Sequence, residues 1–229
     1  MEKVEKKSFQ GNKRRYHRFR YSSHDSSAVA DCVGSNLRCA HEWGWCEGIL
    51  SKPTKGRLYS PSEVEEKLVE MCEEEGVKTV RFTGMEPVMG DSHLIQAIER
   101  LESYKVRIDT NGMLLTPELA SKLAKFDNLS IRLSFKGSNP ENFSKLTGVE
   151  PKHFKNQLRA FKACKKYGIE TNPVLAGVYG REEVMELQRS LEGLGKGNIG
   201  ELCVEDLHIC RENKEKLEKA GFVVERFIG

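Results

Sequence analysis

The chain has 229 residues, of which 38% are hydrophobic and 31% charged, with a formal net charge of +3. That composition suits one globular domain with a full core, and no run of roughly 18 consecutive apolar residues reads as a membrane span. Seven cysteines are an odd number, which argues against a fully paired disulfide framework and for a reducing, cytoplasmic setting.

Charge is concentrated at the start. Residues 1–21 carry eight Lys or Arg against two Glu, leaving 29 basic and 32 acidic residues for the rest. Residues 1–25 are expected to be a basic lead-in, with Tyr16, Phe19 and Tyr21 docking on the body; these basic, polar first residues do not read as a secretory signal. Residues 26–229 are expected to form a single domain.

From residue 26 the chain alternates short apolar, β-branched runs with helical patterns. The first expected strand is Ser27–Cys32. After the short Pro/Gly loop at Ser51–Gly56, Ser60-Pro61-Ser62-Glu63 is a capping box with Pro at the first helical position. Val64, Leu68, Met71 and Cys72 give that helix its inner face. Strands follow at Lys78–Thr83, Lys105–Thr110 and Leu129–Phe135, with a helix opened by Thr116-Pro117 between the last two. Phe154, Leu158 and Phe161 line a further helix, ahead of a strand at Glu170–Val178. Val184, Leu187 and Leu191 line another, before a strand at Glu201–Leu207. A helix at Glu212–Ala220 and a strand at Phe222–Phe227 complete the order. Near-continuous apolar strands between helices predict a parallel sheet. Six β-then-α units predict an α/β fold, a partial (β/α)6 barrel, since a closed eight-unit barrel usually needs about 250 residues.

In such folds chemistry gathers at the carboxyl ends of the strands. Cys32, Cys39 and Cys46 follow the first strand at intervals of seven. Three thiolates in a loop could bind a soft metal or an iron–sulfur cluster, and they could equally be incidental buried residues. Tetrahedral zinc is disfavoured by the lack of a Cys-x2-Cys pair. Gly84-Met85-Glu86-Pro87 follows the second strand, Asp109-Thr110-Asn111-Gly112 the third, and Ser134-Phe135-Lys136-Gly137 the fourth. Glu205, Asp206, His208 and Cys210 cluster near the sixth. Cys72, Cys164 and Cys203 read as packing residues, and Trp43 and Trp45 as a loop wall or stacking platform.

In this order, each at a strand end, these motifs resemble the radical SAM superfamily over roughly residues 16–225, in particular its activase-like, archaeal-type members. The resemblance implies a half-open TIM-like barrel, a [4Fe-4S] cluster and S-adenosylmethionine, whose reductive cleavage yields a 5'-deoxyadenosyl radical. It also implies an electron donor of flavodoxin or ferredoxin type. A minimal barrel without extra domains leaves the site mouth open, so the expected substrate is a protein or a tRNA, and the lack of an apolar span predicts no membrane. Gly84, Met85, Glu86 and Pro87 match the motif whose backbone meets the methionine amino group. Asp109 and Asn111 match the Asp/Glu-Thr-Asn-Gly turn, and Leu146-Thr147-Gly148 matches another activase segment. Ser134 and Lys136 match the groups near ribose and carboxylate, and the strand around Asn172–Gly177 would lie against adenosine. The superfamily's loop is Cys-x3-Cys-x2-Cys. In register with it stand Ser35, Cys39 and Glu42, with His41 at the aromatic position. Two readings follow. Either Cys32 and Cys46 join Cys39 to hold a rearranged cluster, or the protein is a cluster-less pseudoenzyme that still binds S-adenosylmethionine or a nucleotide.

Overall fold

The computed structural model describes residues 6–34 and 55–194, and toward the C-terminal end 202–205, 207–208, 211–222, 224 and 227–228. In chain order the strands and helices are β1 (Phe9–Gln10), β2 (Lys13–Ser22), β3 (Ser27–Cys32), β4 (Arg57–Tyr59), α1 (Pro61–Glu75), β5 (Thr79–Gly84), α2 (Asp91–Ile98) and β6 (Lys105–Thr110). They continue with α3 (Pro117–Leu123), β7 (Leu129–Phe135), α4 (Pro140–Thr147), a 3-10 turn (Pro151–His153), α5 (Phe154–Lys166), β8 (Glu170–Leu175) and α6 (Arg181–Glu192). The last elements are β9 (Cys203–Val204), β10 (Leu207–His208), α7 (Arg211–Lys219) and β11 (Phe227–Ile228).

Six strands, β3-β5-β6-β7-β8-β9, run parallel in that order. Helices connect successive strands, so the architecture is the expected open, partial barrel. Strands β3, β6 and β7 have the expected bounds. The strand expected over Glu201–Leu207 is split into β9 and β10, β8 stops at Leu175, and the last strand holds only Phe227–Ile228.

Residues 13–22, read from sequence within the basic lead-in, are a ten-residue strand antiparallel to both β3 and β4. Tyr16 is buried and stacks on Phe19. Tyr16 and Phe19 therefore dock through sheet extension, because an unpaired β3 edge would leave backbone groups open, whereas Tyr21, also expected to dock, is exposed.

Helix starts follow local chemistry. The Ser60 hydroxyl accepts from the Glu63 N–H at 3.3 Å, and the Glu63 carboxylate accepts from the Ser60 N–H at 2.6 Å, so the capping box is present. Thr116 caps α3 and Asn139 caps α4, each with Pro at the first helical position. Core residues line the helix-facing side of the sheet: Ala28, Ala30, Val80, Phe82, Val106, Ile108, Ile131 and Leu133. Strands β5 to β7 are not continuous apolar runs in their exposure. They alternate, with Arg81, Arg107, Asp109 and Arg132 on the opposite, inner face. Among the described residues no helix is long and apolar enough to cross a membrane.

Candidate functional site

The inner face is built from cross-strand rows. Arg20, Val29, Arg81, Arg107, Ser130 and Glu170 stand side by side from β2 to β8. One step nearer the carboxyl ends, Arg18 stands opposite Asp31, and Asp109 opposite Arg132 and Asn172. Asp31 accepts from Arg18 at 2.8 Å and Arg20 at 2.9 Å. Asp25, in the β2–β3 turn, accepts from Arg81 at 2.5 Å and from Arg107. Burial opposes the Asp25 charge, but Ser22, Ser27 and the two guanidinium groups outweigh it and hold the carboxyl below its usual range. Asp109 lies 3.4 Å from Arg81 and 3.3 Å from Arg107. There burial dominates and pushes the carboxyl up despite those cations. Arg132 pairs with Glu205 at 2.9 Å.

Above these rows the strand-end motifs are joined into one hydrogen-bonded rim. Arg14 of β2, fully buried, donates to the carbonyls of Glu86, at 2.7 Å, and Pro87. The Glu86 carboxylate, also fully buried, accepts from the Thr110 hydroxyl at 2.5 Å, the Asn111 N–H at 3.0 Å and the Val88 N–H at 3.3 Å. Burial nonetheless pushes the Glu86 carboxyl up. Gln157 of α5 donates to the carbonyls of Asn111, at 2.6 Å, and Ser134, at 3.0 Å, and accepts from the Lys136 N–H at 3.1 Å. The Tyr179 hydroxyl lies 2.9 Å from the Lys136 carbonyl and 2.8 Å from the Asn142 carbonyl, its one proton shared between them. Because a buried polar group left unsatisfied costs about 1–3 kcal/mol, each link fixes the next strand end. Gly84 begins the first turn at φ 98°, and a Cβ there would lie 2.4 Å from the Cys32 carbonyl oxygen, so only glycine fits.

The expected residues divide accordingly. Gly84, Met85, Glu86, Pro87, Asn111, Ser134 and Lys136 share the rim. The Glu86 carboxylate is a link between turns rather than a group facing the mouth. Asp109 and Asn172 lie one row below, Asp109 among arginines and Asn172 exposed. Lys136 is 9% exposed and its ammonium donates to the Ser134 hydroxyl at 2.9 Å. Among the described residues no carboxylate pairs with it, which is unusual for a buried lysine. Arg14, Gln157 and Tyr179 were not singled out in the sequence. Gln157 alone carried a signal, a polar residue at the inward spacing of Phe154 and Phe161.

The metal residues fare differently. Ser35, Cys39, His41, Glu42, Trp43, Trp45, Cys46, Asp206 and Cys210 lie outside the described residues, as does the His208 side chain. Cys32 is described. It pairs with Gly84 and sits in the helix-facing core at 1% exposure. Burial pushes its thiol up, Glu86 and Asp31 add to this, and Arg14 and the Met85 N–H oppose it. The alternation of β3 thus puts the Cys32 thiol on the face opposite Asp31, Arg81 and Arg107. Among the described residues no group of three His, Cys, Asp or Glu is placed to hold a metal. Cys203, expected as packing, is exposed on β9.

An open parallel (β/α) sheet with its polar turns gathered at the strand carboxyl ends defines an α/β protein of the partial-barrel class. The family model of the radical SAM superfamily matches residues 32–191, and the chain belongs to that superfamily. The superfamily uses a [4Fe-4S] cluster and S-adenosylmethionine. Among curated relatives, GTP 3',8-cyclase of Aquifex aeolicus is 29% identical over 146 residues, 62% of this chain and 45% of that protein. GTP 3',8-cyclase of Petrotoga mobilis is 32% identical over 145 residues, 61% of this chain and 42% of that protein. The chain thus spans less than half the length of these curated relatives. Among solved structures, Streptococcus suis SuiB bound to S-adenosylmethionine has a TM-score of 0.57 at 20% identity, covering 81% of this chain and 40% of that one. A spore photoproduct lyase mutant has a TM-score of 0.64 at 18% identity, covering 90% and 64%. These likenesses establish the fold.

Proposed function

We propose that the rim binds S-adenosylmethionine through its amino-acid end. The observation that carries this reading is Lys136, a buried cation bonded to Ser134 with no acid partner among the described residues, as a carboxylate-binding group requires. The Gly84–Pro87 turn supplies backbone to the amino group. Ala176 and Val178, buried just beyond β8, supply an apolar wall for adenine. Asn111 stands between them on the β6 turn. Asp109 and Asn172 lie below, toward the substrate. The inner face carries five arginines and five carboxylates, a polar floor with its charges balanced. A protein and a tRNA both remain substrate candidates, and GTP, which the relatives' names include, is the small molecule to assay beside them.

In the radical-enzyme version of this reading, Cys32, Cys39 and Cys46 would hold a [4Fe-4S] cluster, which would supply an electron, drawn from a flavodoxin- or ferredoxin-type donor, for cleavage of the sulfonium. In the second version the chain is a cluster-less binding module. The enclosure of Cys32 favours the second, because it removes one of the three thiolates from the loop. Equilibrium dialysis with S-adenosylmethionine tests the shared part. Lys136→Met should weaken binding by about tenfold or more, the effect of one charge-assisted contact. Equal affinity in wild type and variant would sink the rim assignment. Anaerobic reconstitution then separates the versions: about four iron per chain, lost in each of Cys32→Ala, Cys39→Ala and Cys46→Ala, marks the enzyme, and iron-free protein that still binds S-adenosylmethionine marks the module.

A further inference from the structure

Behind the rim lies a buried polar cluster that the binding reading does not use. Arg14, Tyr16, Cys32, Glu86 and His93 are all at most 4% exposed. It joins the N-terminal segment to three separate points. The first is the Gly84–Pro87 turn, where the Arg14 guanidinium spans two successive carbonyls. The second is the end of β3, where the Val33 N–H donates to the Arg15 carbonyl at 3.2 Å. Here Ser8 closes over Gly34, since a Cβ on Gly34 would lie 2.5 Å from the Ser8 hydroxyl. The third is the far side of residues 35–54, where Arg15 donates to the Gly56 carbonyl at 3.2 Å and β4 pairs with β2.

We infer that β2 is a positioning element for the site, and that Arg14 is its positioning residue, setting the Gly84–Pro87 turn while β2 holds both flanks of residues 35–54. A guanidinium suits this task. Its planar fork bonds two carbonyls at fixed spacing, which a lysine ammonium cannot do. Phe9 and Tyr16 stack near it, at 5.3 and 5.9 Å from ring centre to guanidinium carbon, and keep the fork from turning. The Glu86 carboxylate holds the same turn from the other side through β6. The turn is therefore clamped twice, through its carbonyls by β2 and through its side chain by β6.

The role of the turn in binding rests on the reading above, but the clamp is testable without it. Hydrogen exchange on the whole chain reads the Met85, Val88 and Met89 amides, bonded to Cys32, Glu86 and Glu86 respectively. In Arg14→Met these amides and that of Val33 should exchange about tenfold faster, equivalent to losing one charge-assisted hydrogen bond, while β7 and β8 keep wild-type rates. Arg14→Lys should fall between. Unchanged turn amides in Arg14→Met would overturn the inference. If Arg14→Met does not fold, Arg14→Lys carries the comparison. Exchange raised evenly across the sheet in both variants would also overturn it, making Arg14 a core residue only. Dialysis of S-adenosylmethionine on the same samples keeps the two claims apart. Wild type that fails to bind defeats the rim reading and leaves the exchange result standing, whereas wild type that binds predicts weaker binding in step with the turn's exchange.

Discussion

The two faces of the parallel sheet are made by alternate residues of the same strands, yet they obey different rules. Leu133 faces the helices, fully buried; its neighbour Arg132 faces inward, paired to Glu205 and about a quarter exposed at its side chain. The helix-facing side gains its stability by excluding water from aliphatic and aromatic surface. The inner face sets guanidinium groups against carboxyl groups and returns little stability, because each ion pair balances desolvation against attraction. In a closed eight-stranded barrel the interior is a packed core. Here the interior is a polar floor, so the helix-facing side carries the fold and leaves the inner face to ligand chemistry.

That division can be broken from either side. The largest effect belongs to the helix-facing side: Leu133→Ala should destabilise by about 2–5 kcal/mol in a denaturant titration, and a loss under 1 kcal/mol would mean that side is not what holds the sheet. Next comes its buried histidine. The His93 ring donates from Nδ1 to the Asn12 carbonyl and accepts from the Tyr16 hydroxyl at Nε2, at 2.8 and 3.2 Å. Burial pushes its pKa down to about 4, with Arg14 adding to that and the Asn12 bond opposing it. The unfolded chain binds the proton more readily, so this stability is complete above about 6.5 and drains away as pH falls toward about 4, by roughly 3 kcal/mol in all. His93→Gln should flatten the stability profile in that window. A smaller effect is expected where the two faces meet at the rim. Gln157→Glu keeps the shape but turns two carbonyls toward a carboxylate, and should cost about 1–3 kcal/mol with weaker S-adenosylmethionine binding. Stability and affinity both at wild-type levels would unlink Gln157 from the rim. The smallest belongs to the inner face. Arg18→Gln leaves Arg20 on Asp31 and should change stability by less than about 1 kcal/mol; a larger loss would show that the charged floor also supports the fold.

Much of this was legible because it is local. The cap at Ser60, the Thr116-Pro117 start and the glycine-containing turns are each set by a few adjacent residues. Helix α4 carried the same kind of signal in Asn139-Pro140, and was not read. Helix α2 carried less, since Gly90 precedes it without a side-chain cap. Strand β2 was hidden by its own charge: Arg14, one of its most enclosed residues, reads as solvated in a run of lysines and arginines. Its burial depends on carbonyls 72 and 73 residues away. Gln157 and Tyr179 are likewise defined by distant carbonyls. Cys32 shows the converse limit. Its spacing from Cys39 and Cys46 suggested a ligand set, but the strand's two-residue alternation turns its thiol toward the helices, and sequence spacing across a strand end does not report which way a side chain points.

The closeness of Gly84 to β3 has a bearing on how the turn tolerates change in descent. The turn begins Gly84-Met85. The first position touches the neighbouring backbone, with no room for a single carbon. The second is occupied by methionine with its N–H still bonded to the Cys32 carbonyl at 3.1 Å. Contact therefore bars a side chain at Gly84, while the next position carries one without losing its backbone bond.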